Sequence, residues 1–251
     1  MSEHAETLIG EAGRLWQEGR YEEAEILFAR AAALGNPRAL MRAGLREFFR
    51  DPDEAARLLR AAADTGSAEA MTLYAYQVLE EDQPNEAVGW YLKAAETGHA
   101  EAMHRLAVLL EADDPEAAVR WYREAVLRRW TPSMINLALL TKDRDRGEAE
   151  RLLRTAAEKG MTDAVYDLGL LCQEDRRFEE AEQWYRRAID GVDVDDHEDG
   201  DYDIYTLVMF NLGLLHEATD RPEEALRWYR RAALRGDARA GAASQRLSGT
   251  L

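Results

Sequence analysis

The stretch EAVGWYLKAAETGHAEAM, residues 86–103, contains a pattern that the chain repeats along its length. Its first half reads E-A-x-x-W-Y-x-x-A, and close variants recur as EAAVRWYREAV at 116–126 and EEAEQWYRRAI at 179–189. Positions i, i+3, i+4 and i+7 lie on one face of an α-helix. Each copy is therefore predicted to form an amphipathic helix with a stripe of small, large, large and small residues.

Alanine occupies both ends of this stripe in every copy. The first alanines are Ala24, Ala55, Ala87, Ala118, Ala149, Ala181 and Ala225, and the second are Ala31, Ala62, Ala94, Ala125, Ala156, Ala188 and Ala232. Successive copies are 31 or 32 residues apart, apart from a last interval of 44. Between the alanines lie pairs of large residues, among them the tryptophans Trp90, Trp121, Trp184 and Trp228, which we expect in the core.

A glycine ends the helix after most copies, and a second helical segment follows it. These glycines are Gly35, Gly66, Gly98, Gly160 and Gly236, with Arg129 at the same place in the fourth copy. Each second segment carries a small residue, namely Gly44, Ala75, Ala107, Ala138, Gly169 and Gly213, where a neighbouring helix is expected to approach closely. A two-helix unit of this size buries its apolar face only by stacking on further copies.

The helix–turn–helix units resemble Sel-one-like (Sel1-like) repeats, which belong to the tetratricopeptide superfamily. The residues that carry the resemblance are the W-Y-x-x-A-A-x-x-G phrase and, at 19–37, GRYEEAEILFARAAALGNP, which is closer to a plain tetratricopeptide phrase. The resemblance implies an all-α, right-handed α-α superhelix of about thirteen to fifteen antiparallel helices, without strands. It implies a single repeat domain over residues 1–251 with about seven helical pairs. It also implies a scaffold that binds other proteins and catalyses no reaction.

Composition and charge argue against two classes of partner, nucleic acids and membranes, and indicate the cellular compartment. The net charge of −17 repels nucleic-acid phosphates and anionic membranes over most of the surface, and we find no interleaving of aromatic and basic residues that indicates a local exception. No apolar run is long enough to span a membrane, and the N-terminus has no signal-peptide pattern. With Cys172 as the single cysteine, we expect a cytoplasmic protein. The small, polar C-terminal stretch favours a monomer.

The interval of 44 residues marks an acidic insertion near 191–203, with seven acidic residues between positions 193 and 203. We expect a solvated loop, with docking of a basic partner and metal binding as alternatives. Thr206 stands where a calcium loop needs a bidentate glutamate.

Catalytic patterns are missing from the sequence. The five histidines show no metal-ligand spacing, Cys172 lies in an apolar segment, and no phosphate-binding glycine loop is present. We therefore expect no enzyme, no cofactor and no metal. The predicted function is a scaffold that binds a protein or extended peptide, and the alternative is a self-assembling structural subunit.

The family resemblance implies that the second segments line the concave surface of the superhelix. The candidate partner-binding residues at its variable positions are Arg38, Met41, Arg42, Thr72, Glu101, His104, Arg105, Asn136, Tyr166, Asp167, Phe210 and Asn211. The amides of Asn136 and Asn211 resemble those that bond a peptide backbone in tetratricopeptide proteins. Arg42 and Arg105 are expected to favour carboxylates near the N-terminal units.

Overall fold

The structure is a computed structural model that describes residues 3–190 and 204–249. Within these ranges it contains fifteen helices and no strand. They are α1 (Glu3–Gln17), α2 (Tyr21–Ala33), α3 (Pro37–Glu47), α4 (Pro52–Ala63), α5 (Ala68–Glu80), α6 (Pro84–Glu96), α7 (Ala100–Leu110), α8 (Pro115–Leu127), α9 (Pro132–Thr141), α10 (Arg146–Glu158), α11 (Thr162–Glu174), α12 (Phe178–Ile189), α13 (Ile204–Ala218), α14 (Pro222–Leu234) and α15 (Ala238–Ser248).

The helices form sequential antiparallel pairs, which is the arrangement of a tetratricopeptide or Sel1-like solenoid. The even-numbered helices carry the alanine stripe, and the odd-numbered helices from α3 onwards are the second segments. The predicted all-helical fold and number of helices are confirmed for the described residues. The acidic residues from 193 to 203 lie outside them, so the predictions for that insertion are not addressed.

Backbone contacts divide the chain into two compact units, Met1–Ser133 and Met134–Leu251, with the division inside α9. In the first unit each helix from α1 to α7 contacts the next, and α5 also contacts α3 and α7. In the second unit α10 to α15 contact one another in sequence, and α11 also contacts α13. In the first unit these contacts join the second segments α3, α5 and α7 into one layer.

The alanine stripe is the centre of the packing. All fourteen stripe alanines are buried, as predicted. At the fourth position of the stripe, Tyr91, Tyr122, Tyr185 and Tyr229 are fully buried. The small residues of the second segments receive these side chains, because a Cβ added to Gly169 or Gly213 would lie within 2.5 Å of a tyrosine ring. The predicted close approach is confirmed at these positions.

The tryptophans at the third position of the stripe lie at the edge of the core. Trp90 is buried, but Trp121, Trp184 and Trp228 are partly exposed, so their placement fully within the core was wrong. Arginine side chains cover two of these rings: the guanidinium of Arg187 lies 5.2 Å from the Trp184 ring centroid, and that of Arg231 lies 5.2 Å from the Trp228 ring centroid. The edge position lets the indole pack on one side and bind a cation on the other.

The predicted stop residues end the stripe helices. Gly35, Gly66, Gly98, Gly160 and Gly236 all have positive φ angles, and Arg129 adopts the same conformation with a φ of 65°. Its backbone N–H donates to the Val126 carbonyl at 2.9 Å, and the N–H of Trp130 donates to the Ala125 carbonyl at 3.0 Å. The fourth copy therefore ends as the others do, although it lacks glycine.

Candidate functional site

Two adjoining depressions lie on the second-segment helices of the first unit. The larger is a groove of about 760 Å³ whose lining includes Arg38, Met41 and Arg42 of α3. The smaller, of about 330 Å³, includes Thr72, Glu101 and Arg105. Leu45 and Leu73 line both. We call this continuous area the α3–α5–α7 surface. Six of the predicted binding residues line it.

Capping interactions fix the helices that carry this surface. The Asn36 side chain accepts hydrogen bonds from the backbone N–H groups of Arg38 and Ala39 at 3.1 and 3.2 Å, which starts α3. Ser67 caps α5 in the same way. His99 caps α7, and its Nδ1 lies 3.1 Å from the Thr72 hydroxyl of the neighbouring helix. These bonds satisfy otherwise free amides and set where each second segment begins.

An aromatic platform, made of Phe48, Phe49 and Tyr76, forms part of the smaller depression. The Phe48 ring stacks on Tyr76 with centroids 5.7 Å apart and packs edge-on against Phe49 at 5.0 Å. Phe49 is 93% exposed. These residues are absent from the predicted binding residues, because they lie outside the repeat positions from which those were chosen. The adjacent phenylalanines in EFFRD, residues 47–51, were the available signal.

The predicted cations of this surface are already engaged. Arg42 forms an ion pair with Glu25, and its guanidinium lies 4.2 Å and 4.4 Å from the ring centroids of Trp16 and Phe28. Arg105 forms an ion pair with Glu101 at 3.1 Å and faces the Tyr76 ring at 5.6 Å. Both therefore have local partners, which lowers their gain from binding a further carboxylate.

Arg38 differs from these two arginines. Its side chain is exposed, and in the part of the chain that the structure describes it makes no ion pair. It lines the groove together with Glu69 of α5. Arg38 is consequently the cation of this surface most able to pair with a ligand carboxylate.

Three other candidates of the first unit face inward to different degrees. Met41 and Thr72 are buried, so they support the wall of the groove from behind. His104 is partly buried, with its Nδ1 3.0 Å from the Ser133 hydroxyl. Burial lowers the pKa of His104, aided by the nearby Arg105. His104 therefore offers a neutral hydrogen-bonding ring at neutral pH.

The remaining candidates lie in the second unit. Asn211 is buried, and its Nδ2 donates to the Tyr166 hydroxyl at 3.1 Å and to the Leu207 carbonyl at 3.0 Å. Phe210 has the Arg239 guanidinium 4.4 Å from its ring centroid. The amide N–H groups of Asn211 therefore bond within the fold, in contrast to the expectation that they bond a peptide. Asn136 is partly exposed and keeps its predicted role as a proposal.

Asp167 is partly buried on α11, where its surroundings disfavour the negatively charged form of its carboxyl group. Burial, together with the nearby carboxylate of Asp163, raises the pKa of Asp167 to about 6, and Lys142 opposes this shift. The carboxyl group is thus close to half protonated just below neutral pH. It offers a hydrogen-bond donor or acceptor according to pH.

Residues 3–190 and 204–249 contain neither a cluster of metal-binding side chains nor a membrane-spanning helix. No group of three or more histidine, cysteine, aspartate or glutamate side chains there could hold a metal ion. No helix in these ranges has the length and apolar character needed to cross a bilayer. Cys172 is buried and not in a disulfide.

Comparison with known structures supports the fold. The chain is similar to c5321, a protective antigen of uropathogenic Escherichia coli strains with an SLR fold, at a TM-score of 0.79 and 18% identity. That match covers 99% of this chain but only 58% of the antigen. It is also similar to a Sel1 repeat protein from Oxalobacter formigenes, at a TM-score of 0.68 and 22% identity, over 90% of this chain and 98% of that one.

A third similar structure is YrrB, described as a TPR protein with an unusual peptide-binding site. Its TM-score is 0.56 at 15% identity, over 76% of this chain and 99% of YrrB. No curated protein sequence matches the chain significantly. At these identities the structural matches establish the fold alone.

Two family models match the sequence of the chain. A model described as tetratricopeptide repeat matches residues 162–233. A model described as Sel1 repeat matches residues 20–36, 42–67, 68–99, 100–128 and 133–161, which together make up more than half of the chain. Because these matches cover more than half of the chain, the chain belongs to the Sel1 repeat family.

Proposed function

We propose that this protein is a non-catalytic scaffold that binds an extended segment of a partner protein on the α3–α5–α7 surface. Sel1 and tetratricopeptide repeat proteins generally mediate protein–protein interactions. The observation that carries the proposal is the aromatic platform, with Phe49 93% exposed beside a groove of about 760 Å³. Exposed aromatic residues at a rimmed groove are typical of protein interaction sites.

The chemistry of the surface favours a segment with one apolar side chain and one carboxylate. Covering the Phe49 ring removes apolar area from water and contributes about 1.5–3 kcal/mol. Arg38, which is exposed at the groove, supplies a charge-assisted bond to the carboxylate. Because Arg42 and Arg105 are already paired, the preference for acidic segments rests on Arg38.

The similarity to YrrB, a TPR protein with a peptide-binding site, is consistent with a peptide-sized ligand. We also propose that the protein acts in the cytoplasm, since its single cysteine, Cys172, is a buried thiol. Burial raises the pKa of the Cys172 thiol, so it remains protonated and unreactive.

A displayed library of random peptides tests the proposal. Peptides enriched on the wild type are measured by calorimetry against Phe49→Ser, Arg38→Ala and the control Ile26→Ser. Ile26 is 61% exposed on α2 and lines neither depression, so its change removes similar apolar surface elsewhere. We expect Phe49→Ser to weaken binding about tenfold or more and Arg38→Ala about threefold to tenfold, with Ile26→Ser unchanged.

Two results would contradict the proposal. One is that no peptide is enriched above the level of a library panned without protein. The other is that enriched peptides bind all three variants with the wild-type affinity, because the partner surface would then lie elsewhere. Thermal unfolding of each variant confirms that it is folded, which is expected because Phe49, Arg38 and Ile26 are all exposed.

A further inference from the structure

A cluster of arginines extends from the middle of α8 into the turn after it. Arg120, Arg123, Arg128 and Arg129 lie within ten residues, in a chain whose net charge is −17. All four are exposed. We call this cluster the arginine patch. The run VRWYREAVLRRW, residues 119–130, interleaves basic and aromatic residues, which corrects the expectation that the sequence holds no such run.

The patch is only partly neutralised by the protein itself. Arg128 forms an ion pair with Glu124 at 2.7 Å. Arg120 and Arg129, by contrast, make no ion pair among residues 3–190 and 204–249. Elsewhere in the chain a single arginine such as Arg177 contacts the carboxylates of both Glu150 and Glu180. The arginine patch therefore keeps a local positive charge on an otherwise acidic protein.

The backbone at Arg129 has the conformation of a helix end. Its φ of 65° is a conformation that L-residues with a side chain adopt at a steric cost, and five other repeat units place glycine there. The chain thus holds a guanidinium at the rim of the patch in a conformation better suited to glycine. Asp82, Arg176 and Asp220 have the same conformation after other helices, so it marks the end of α8 and a position where glycine can replace Arg129 without strain.

Apolar surface lies next to these charges. Leu127 is 75% exposed, and Trp121 is partly exposed. Arg120, Trp121, Arg123 and Glu124 line an open depression of about 480 Å³. None of these residues lines either depression of the α3–α5–α7 surface, so the patch is a separate area of the first unit.

We propose that the arginine patch binds an acidic segment of a partner protein, with carboxylates on Arg120 and Arg129 and an apolar side chain against Leu127. The negative charge of the rest of the chain repels long polyanions such as nucleic acid or an anionic bilayer. A short acidic segment covers only the patch and avoids most of that repulsion. This inference does not depend on the function proposed for the α3–α5–α7 surface.

Fluorescence anisotropy with a short fluorescein-labelled peptide of glutamates interrupted by leucines tests the proposal. The variant combines Arg120→Ala with Arg129→Gly. The matched control combines Arg227→Ala with Arg230→Ala, which removes two exposed arginines from α14, including the one at the repeat position of Arg120. We expect the patch variant to bind about fivefold or more weakly and the control to bind as the wild type does.

Measuring the Tm of each variant distinguishes a loss of affinity from a loss of folding. Arg129→Gly alone relieves the positive-φ strain, so its Tm should rise by about 2–4 °C while its affinity for the peptide falls. The comparison is made with Phe49→Ser present in every protein, because the α3–α5–α7 surface is itself proposed to accept a segment with an apolar side chain and a carboxylate, and the contribution of the arginine patch is then measured alone. Raising the salt concentration should weaken wild-type binding more than binding by the patch variant.

Three outcomes would overturn the inference. If the control pair weakens binding as much as the patch pair, the peptide responds to net charge and not to the patch. If Arg129→Gly leaves affinity unchanged, Arg129 has no part in binding. If duplex DNA or phosphatidylserine vesicles bind more tightly than the peptide, and the patch pair abolishes that binding, the partner is of that other class.

Discussion

Replacing Gly169 with alanine should destabilise the protein, although alanine is the better helix former. Gly169 lies within α11, and a Cβ added there would stand 2.3 Å from Cε1 of Tyr185. Nonbonded carbons prefer about 3.5–4.0 Å, so the ring or the helix must move by more than about 1 Å. Tyr185 is fully buried, and its hydroxyl donates to Oε1 of Gln173 at 2.9 Å, which limits that movement.

The magnitude follows from two opposing effects. Overpacking a core costs about 1–3 kcal/mol, whereas alanine in place of glycine within a helix gains about 1 kcal/mol. Alanine occupies the same repeat position at Ala75 and Ala107, so a helix pair can adjust to a Cβ there and the cost stays bounded. Because the 2.3 Å contact is with a fully buried ring, the overpacking cost lies at about 2–3 kcal/mol, and we expect a net loss of about 1–2 kcal/mol in the free energy of unfolding for Gly169→Ala.

Gly89→Ala is the matched control. Gly89 lies within α6, and a Cβ added there would meet nothing within 4 Å. The same substitution should therefore raise the free energy of unfolding by about 0.5–1 kcal/mol. Urea denaturation followed by circular dichroism measures both. The packing scheme would be refuted if Gly169→Ala were as stable as the wild type, or if the two substitutions shifted stability in the same direction.

The remaining predictions concern the core and its titrating groups. Tyr185→Ala should cost about 3–5 kcal/mol in urea denaturation, and Trp184→Ala clearly less, since only the tyrosine is fully buried. Burial lowers the pKa of His216 below its unfolded value, so its contribution to stability is complete above about pH 6.5 and falls with acidification. His216→Leu should flatten the loss of stability between pH 7 and 5, and an unchanged slope would contradict this assignment. The pKa of Asp167 is raised to about 6, so its charged form opposes folding above that pH. Asp167→Asn should therefore gain about 1–2 kcal/mol at pH 7.5, after allowance for its partial exposure, and less at pH 4. Asn211→Ala should lower Tm, because it removes the bond to Tyr166. Light scattering should show a monomer.

The fold was predictable because one packing solution recurs at a fixed interval. The stripe alanines occupy the same buried position in every copy. A single sequence therefore shows this position several times, and each copy supports the same prediction. The error at Trp184 and Trp228 has a geometric cause. The third stripe position lies at the edge of the buried face, and whether a neighbouring arginine covers the ring depends on side-chain placement.

The candidate site was predictable only in part. The positions of residues within the repeat correctly predicted α3, α5 and α7 and six of the residues that line the α3–α5–α7 surface. It did not reveal that Arg42 is paired with Glu25, because that contact joins two different helices. It also omitted Phe49, which follows α3 in a turn whose exposure depends on how the neighbouring helices pack.

The most direct test of the proposed function places the photo-crosslinking residue p-benzoylphenylalanine at position 49 or, as control, at position 26. Both positions are exposed in the first unit, and only Phe49 belongs to the α3–α5–α7 surface. After irradiation in native cell extract, the proposal predicts one or a few proteins joined to position 49, absent from position 26 and diminished by Arg38→Ala. The same set of proteins at both positions, or none at position 49, would contradict it.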